Sequence, residues 1–221
     1  MTALDPVNLA VVLALLALVP LAVVMTTSFL KIAVVLMLVR NALGVQQAPP
    51  NMAVYGLALI LSIYVMGPVV MQVRDGFRDP PAVSEQGAPV MGVEGLFSAI
   101  ERGAEPVRDF MHRHSRPGQR DFFVHSATTL WGPELARDLR DTDLIVLIPA
   151  FLVSQLTAAF EIGFLLYLPF VIIDLIVSNI LLAMGMMMVS PVTISMPLKL
   201  FLFVMVDGWT RLIQGLVLSY A

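Results

Sequence analysis

Long uncharged stretches lie near both ends of the chain, and a polar stretch separates them. Residues 6–30 carry no charged side chain, and neither do residues 41–73, which contain Pro49 and Pro50. A helix of 25 residues is long enough to cross the hydrocarbon core of a bilayer, because each residue rises about 1.5 Å. Adjacent prolines cannot lie inside a helix. The pattern therefore predicts a helical hairpin over residues 1–73, with the two prolines at its tip.

A polar insert follows over residues 74–143. Residues 72–143 hold 9 of the 13 Lys and Arg residues and 12 of the 16 Asp and Glu residues of the chain. Mixed charge of this kind is typical of a solvated surface, and apolar side chains recur within the insert at helical spacing. The predicted elements are a loop over 74–91, an amphipathic helix over 93–111 and two shorter helices over 122–131 and 133–140.

The second apolar arm, residues 144–221, is interrupted by single charges instead of by loops. Glu161 and Asp174 stand between uncharged runs, and a carboxylate exposed to hydrocarbon costs several kcal/mol. We expect both to face protein, a polar cavity or a membrane boundary. Prolines at 191 and 197 add breaks, so the arm is predicted to be a kinked helical hairpin that packs against copies of itself or partner chains.

Polar residues within the two arms are predicted to make contacts that orient the hairpins or join subunits. Ion pairs are the favoured interpretation, and a proton or ion pathway is the alternative. The pathway is disfavoured because Glu161 and Asp174 lie 13 residues apart. The predicted contact residues are Lys31, Arg40, Gln46, Gln47, Glu161, Asp174, Lys199, Asp207 and Arg211.

Four methionines lie within residues 184–188, just before a Ser-Pro break: Met184, Met186, Met187 and Met188. Methionine is unbranched and polarizable, so such a cluster can fill an irregular gap or close around a variable object. Ordinary packing against lipid or core is the other interpretation. Side chains at these positions cannot share one helical face at about 100° per residue. If all four point the same way, the segment must be a loop or a broken helix.

Composition narrows the class of protein. The chain is 58% hydrophobic and 13% charged, against about 25% charged in typical soluble domains, which predicts a membrane-associated protein. The absence of cysteine excludes disulfides and thiolate metal sites. A net charge of −3 offers no electrostatic basis for binding nucleic acid.

His112, His114 and His125 lack the companion ligands of a metal site. No phosphate loop, metalloprotease, nucleophile-elbow or dinucleotide motif is present, so we expect neither an enzyme nor a cofactor.

The charges near the first span predict an orientation. No basic residue precedes the first apolar stretch, and Asp5 lies where a secretory signal would carry Lys or Arg, so we expect the segment to be retained. Lys31 and Arg40 follow the span, which by the positive-inside tendency places the hairpin tip in the cytoplasm and the insert outside it.

Several long motifs in both arms carry a family resemblance. They are TTSFLKI at 26–32, LVRNALGVQQAPPN at 38–51, GLA at 56–58, YVMGP at 64–68, FEIGF at 160–164, LPFVIID at 168–174, MGMMM at 184–188 and VDGW at 206–209. In this order and spacing they resemble the FliP/SctR family over about two thirds of the chain. Only the insert lacks a clear signature.

The resemblance implies an all-α, membrane-associated protein with about four long apolar helical segments, a small helical polar insert and an oligomeric export-gate architecture. Members of this family belong to the type III export apparatus in the bacterial inner membrane, within the basal body. They form a helically rising pentamer with SctS/FliQ-like and SctT/FliR-like subunits, near SctV/FlhA-like and SctU/FlhB-like components, and unfolded substrate proteins pass through it. The methionine loop of the family seals that channel, which implies a gasket formed by Met184, Met186, Met187 and Met188.

The resemblance favours the injectisome branch. Flagellar members usually begin with an additional leader, whereas this chain starts close to its first apolar arm. The amino-acid sequences of residues 40–47 and 209–212 also resemble the injectisome proteins more closely. Three alternatives stay open. They are a flagellar export subunit, a small ion or solute channel that uses Glu161 and Asp174, and a structural membrane scaffold without a passage.

Overall fold

The computed structural model describes residues 6–45, 48–78, 93–186 and 188–221, and within them all regular secondary structure is helical. This confirms the predicted all-α class. The described helices are α1 (Pro6–Thr26), α2 (Phe29–Ala42), α3 (Asn51–Val65), α4 (Gly67–Arg78), α5 (Val93–His114), α6 (Pro117–Trp131), α7 (Leu144–Ala183), α8 (Pro191–Met205) and α9 (Gly208–Leu218).

The first span ends four residues before its predicted limit at residue 30, and local hydrogen bonds explain why. Thr26 and Thr27 donate their side-chain hydroxyls to the carbonyls of Ala22 and Val23, at 2.8 and 2.6 Å. Hydroxyls that bond backward in this way compete with helix propagation and often bend a helix. Helix α1 therefore ends at Thr26, and α2 begins three residues later.

One described helix, α7, is long and apolar enough to cross a membrane by itself. Its 40 residues extend for about 60 Å, roughly twice the thickness of a hydrocarbon core. The bent pairs α1 with α2, α3 with α4, and α8 with α9 also pass this test when each pair counts as one span. Up to four spans result, which agrees with the predicted number of long apolar segments.

The first compact unit comprises Met1–Leu30 and Met66–Ser154. Phe110 of α5 and Phe151 of α7 are almost fully buried, and their ring centroids lie 5.9 Å apart. Arg120 of α6 closes the end of α5 by donating to the carbonyls of His112 and Ser115, at 3.1 and 2.8 Å. Orphan carbonyls at a helix C-terminus need such donors, so the end of the amphipathic helix is fixed by a side chain.

Within the insert, the amphipathic helix and the helix that follows it match the prediction. The prediction of a third helix over residues 133–140 is wrong. Turns replace it, and only isolated bonds occur there, such as Ala136 N to the carbonyl of Gly132 at 3.3 Å. Gly132 adopts a positive φ of 88° and precedes a proline, so the chain leaves helical geometry at this point. The loop predicted from residue 74 is also displaced, because α4 continues to Arg78; residues 79–92 are outside the description.

The second compact unit comprises Lys31–Val65 and Gln155–Ala221. Its core includes four side chains of α2 that are at most 1% exposed: Ile32, Val35, Leu36 and Val39. Gly163 allows α7 to approach α2 closely, since a Cβ there would overlap the side chain of Leu38. Outside this core, many apolar side chains of α7 are exposed, including Phe164 at 65% and Leu165 at 66%. These are expected to meet lipid or other protein chains.

Candidate functional site

Residues 184–190, here called the methionine turn, connect α7 to α8. Gly185 has a φ of +72°, and its N–H donates to the carbonyl of Leu182 at 3.0 Å, while the N–H of Met186 donates to the carbonyl of Leu181 at 2.9 Å. These two bonds form a Schellman motif, which ends a helix with a left-handed residue. Glycine fits that conformation without strain, so the sequence stops α7 inside the methionine run.

The described methionines of this turn are exposed. Met184 is 66% exposed, Met186 40% and Met188 fully exposed; Met187 lies outside the described residues. The helix does not continue through the run, so the restriction to different helical faces does not apply there. Exposed, flexible thioether side chains on a turn can close against one another or against a passing chain.

Replacing Gly185 by alanine is expected to destabilise the methionine turn by about 1 kcal/mol, because a Cβ makes the left-handed conformation unfavourable. Denaturant titration of the purified protein in detergent measures the change. Gly118→Ala is a matched control, since this glycine lies in the first turn of α6, has no positive φ and leaves open space for a Cβ. Equal stability of the two variants would contradict the role given to Gly185.

A partly buried group of polar atoms, here called the polar clamp, joins the two helices that carry the turn. Lys199 Nζ of α8 lies 2.6 Å from Asp174 Oδ2 of α7 and 3.3 Å from the carbonyl of Ala42, the last residue of α2. The hydroxyl of Ser195 donates to the other carboxylate oxygen of Asp174, at 2.6 Å. Helices α2, α7 and α8 are thus connected through a single lysine and a single carboxylate.

The arrangement of the polar clamp satisfies each charge. Lys199 and Ser195 are 3% and 0% exposed, so an unpaired group there would be costly. The free carbonyls at the end of α2 carry partial negative charge, and the ammonium of Lys199 neutralises it. Asp174 and Lys199 were both among the predicted contact residues. Ser195 was missed, although it precedes Lys199 by four residues and must share its helix face.

Arg40 closes the connection between α2 and α3. Its Nη1 donates to the carbonyl of Pro49 at 3.3 Å and to the side-chain oxygen of Asn51, the first residue of α3. Gln46 and Gln47, the other predicted contact residues in this connection, lie outside the described residues.

Lys31 contacts the C-terminal end of the chain. Its ammonium lies 3.9 Å from the centroid of the Tyr220 ring, and the side chain is 5% exposed, a setting in which a cation–π contact is stronger than at the surface. The hydroxyl of Tyr220 donates to the side-chain carbonyl of Gln155 at 2.7 Å. Burial raises the pKa of Tyr220, so the phenol stays protonated and keeps donating.

Replacing Tyr220 by phenylalanine is expected to cost about 1 kcal/mol, because the acceptor on Gln155 loses a buried donor while the ring remains under Lys31. Tyr220→Leu is expected to cost more, since it also removes the cation–π contact. Unfolding in detergent, compared among the three proteins, measures both steps. If the phenylalanine and leucine variants are equally stable, the ring contact contributes nothing.

The remaining predicted contact residues are exposed. Glu161 is separated from Asp174 by 13 residues of one helix, which places the two carboxylates about 140° apart around α7. Asp207 adopts a left-handed φ of 52° before α9 and makes no side-chain cap bond. Arg211 lies in the first turn of α9. The structure therefore does not bring Glu161 and Asp174 to one face.

In the part of the chain that the structure describes, no group of three or more potential metal-ligating side chains occurs. His112 lies 3.4 Å from Asp141, which is a contact of two side chains on the polar insert.

Comparison with known proteins gives a consistent family assignment. The FliP family profile matches residues 12–216. The chain is 55% identical over 216 residues to the Yop proteins translocation protein R of Yersinia pestis, and the aligned region covers 98% of this chain and 97% of that protein. It is 47% identical over 217 residues to virulence protein YscR of Salmonella typhimurium, covering 98% of each. It is 44% identical over 219 residues to harpin secretion protein HrcR of Erwinia amylovora, covering 98% of this chain and 97% of that protein.

Both the profile and these relatives extend over nearly the whole chain, including the insert that carried no signature of its own. The names of the relatives refer to translocation, harpin secretion and virulence. The chain therefore belongs to the FliP family, and these relatives support its placement in the injectisome branch.

Proposed function

We propose that this chain is a core export-gate subunit of a bacterial type III secretion system in the inner membrane. Together with partner subunits it forms the channel through which unfolded proteins cross, and the methionine turn seals that channel. The observation that carries the proposal is the methionine turn itself, where Met184, Met186 and Met188 are exposed on a segment held by a Schellman motif. Apolar, flexible side chains can exclude water and ions yet yield to any passing sequence.

The polar clamp supports this role mechanically. Asp174 lies ten residues before Met184, and Ser195 lies five residues after Ser190 at the end of the turn. The hydrogen bonds from Lys199 and Ser195 to Asp174 hold α7 and α8 together near the methionine turn. A seal that must open for each substrate and close again benefits from rigid support beneath mobile side chains. The clamp supplies that support, and the turn supplies the mobility.

The partners follow from the same proposal. About five copies of the chain assemble with SctS/FliQ-like and SctT/FliR-like subunits, beside SctV/FlhA-like and SctU/FlhB-like components. The exposed apolar side chains of α7 and α8, such as Phe164 and Phe201 at 65% and 66% exposure, are suited to such contacts and to lipid. In this arrangement residues 1–73 and 144–221 are the membrane arms, and residues 74–143 are the periplasmic insert.

An ion channel that uses Glu161 and Asp174 is less well supported. Asp174 is bound to Lys199 and Ser195, and the two carboxylates lie about 140° apart around α7. A pore carboxylate must be available to the passing ion, whereas both oxygens of Asp174 already accept hydrogen bonds within the polar clamp.

Site-specific crosslinking to a stalled substrate tests the proposal. A photoreactive amino acid replaces Met188 in cells that produce a secretion substrate with a tightly folded C-terminal domain, so that transport stops midway. We expect a crosslink between position 188 and the substrate. The same amino acid at Met205, which is 66% exposed on α8, is the control and should crosslink to the substrate much less. A substrate crosslink at 205 but not at 188 would contradict the proposed passage.

A further inference from the structure

An apolar cavity of about 330 Å³ lies where α7, α8 and α9 meet in the second compact unit. Its walls are formed by Pro169 and Phe170 of α7, by Leu202 and Phe203 of α8, and by Val206 and Leu212. Phe170 and Phe203 are 5% and 7% exposed, with ring centroids 6.3 Å apart. The two rings form an apolar wall of the cavity.

The bend between α8 and α9 shapes this cavity. The two helices differ in direction by 63°, and Asp207 adopts a left-handed conformation at the break. Gly208 is required directly after it, since a Cβ there would overlap the ring of Phe203. Trp209 packs edge-on against the same ring at 5.3 Å. The backbone geometry of the bend and the packing of these rings therefore define the cavity.

Arg211 is the one charged residue among the described residues that line the cavity. Within residues 6–45, 48–78, 93–186 and 188–221, its guanidinium has no hydrogen bond or ion pair with another side chain. The side chain of Arg211 is exposed, so its guanidinium can meet an anion from outside the chain, which lowers the cost of the charge wherever it faces a bilayer. Its planar set of donors matches a phosphate better than any other common membrane group.

We infer that this cavity binds an anionic phospholipid, with an acyl chain in the apolar space between α7 and α9 and the phosphate on Arg211. The cavity lies against α7, the described helix that is long and apolar enough to span a bilayer alone. Acyl chains of the bilayer would therefore lie beside it. The positive charge of Arg211 is complementary to the negative headgroup. Asp207 is the carboxylate nearest to Arg211 along the chain, and it does not line the cavity. This site is separate from the methionine turn and does not depend on the proposed passage of substrate.

Native mass spectrometry of the assembled complex tests the inference. The complex is purified in mild detergent with equal amounts of phosphatidylglycerol and phosphatidylcholine, and the lipid that stays bound is counted. We expect phosphatidylglycerol to be retained in roughly tenfold preference, the size of effect that one charge-assisted contact gives. Arg211→Gln should abolish the preference, and Arg211→Lys should keep part of it. Excess inorganic phosphate should not displace the lipid.

Asp207→Asn is a control in which a neighbouring negative charge is removed instead of the positive charge of Arg211, and asparagine tolerates the left-handed conformation of this position. It should retain or increase the preference for phosphatidylglycerol. Equal retention of the two lipids by the unaltered complex would overturn the inference, as would an Arg211→Gln complex with an unchanged preference. Displacement by phosphate alone would show a simple anion site instead. A complex without any retained lipid would mean that protein fills the cavity, and it would also overturn the inference.

Discussion

Cells that produce the Met186→Ala, Met187→Ala, Met188→Ala variant are expected to assemble the complex normally but to lose the permeability barrier of the membrane to small ions. The reason is geometric. Met186 and Met188 are 40% and fully exposed, so their truncation removes little packing from the folded chain, whereas it removes the apolar atoms that would meet across a closed pore. Single-channel conductance of the purified complex in a planar bilayer measures the leak directly.

Two controls separate a seal from a change in folding. Met205→Ala removes a methionine of similar exposure, 66%, from α8 and should leave conductance at the level of the unaltered complex. Replacing the three turn methionines by leucine keeps the apolar volume and should keep most of the barrier at rest, while the stiffer side chains should slow secretion. An assembled alanine variant with unaltered conductance would refute the gasket.

Replacing Lys199 by methionine is expected to destabilise the protein by roughly 3 kcal/mol, at the lower end for a broken buried ion pair. The substitution leaves the carboxylate of Asp174 and the carbonyl of Ala42 without their cation, and the lower end applies because the Asp174 side chain is 32% exposed. Because the polar clamp joins the legs of the hairpin, secretion should fall together with stability. Denaturant titration in detergent and a secretion assay measure the two effects.

The matched control is Arg74→Met, which breaks a pair with Asp75 whose side chains are 58% and 62% exposed. That change should cost less than about 0.5 kcal/mol. Adding Asp174→Leu to Lys199→Met should recover part of the lost stability, because an apolar replacement of both partners removes the unpaired charge. If Lys199→Met is no more destabilising than Arg74→Met, the polar clamp does not support the hairpin.

The number of long apolar segments and the helical class could be predicted from sequence because both depend on features that the sequence shows directly. Runs without charge, adjacent prolines and helical periodicity determine where a helix can exist and how long it is. Exact ends depend on smaller effects. Thr26 and Thr27 end α1 through back-bonded hydroxyls, and a turn replaces the predicted helix over residues 133–140 after the positive φ of Gly132. Neither effect is visible in periodicity.

The site was accessible to sequence reasoning only in part. Charged residues within apolar arms can be recognised from the sequence, because an unpaired charge there is costly. The pairing of Asp174 with Lys199 is of the kind expected. The acceptor on the backbone of Ala42 could not be foreseen, because it depends on where α2 ends in space. Likewise Tyr220 carries no signal that it would lie under Lys31, 189 residues away in the chain.

The measurement that tests the central claim most directly is the mass of the complex formed when this chain is co-expressed with SctS/FliQ-like and SctT/FliR-like subunits, determined by native mass spectrometry in mild detergent. We expect a defined assembly with about five copies of this chain and with both partners bound. A stable monomer, or a homo-oligomer that ignores those partners, would contradict the export-gate proposal and return attention to Glu161 and Asp174 as channel residues.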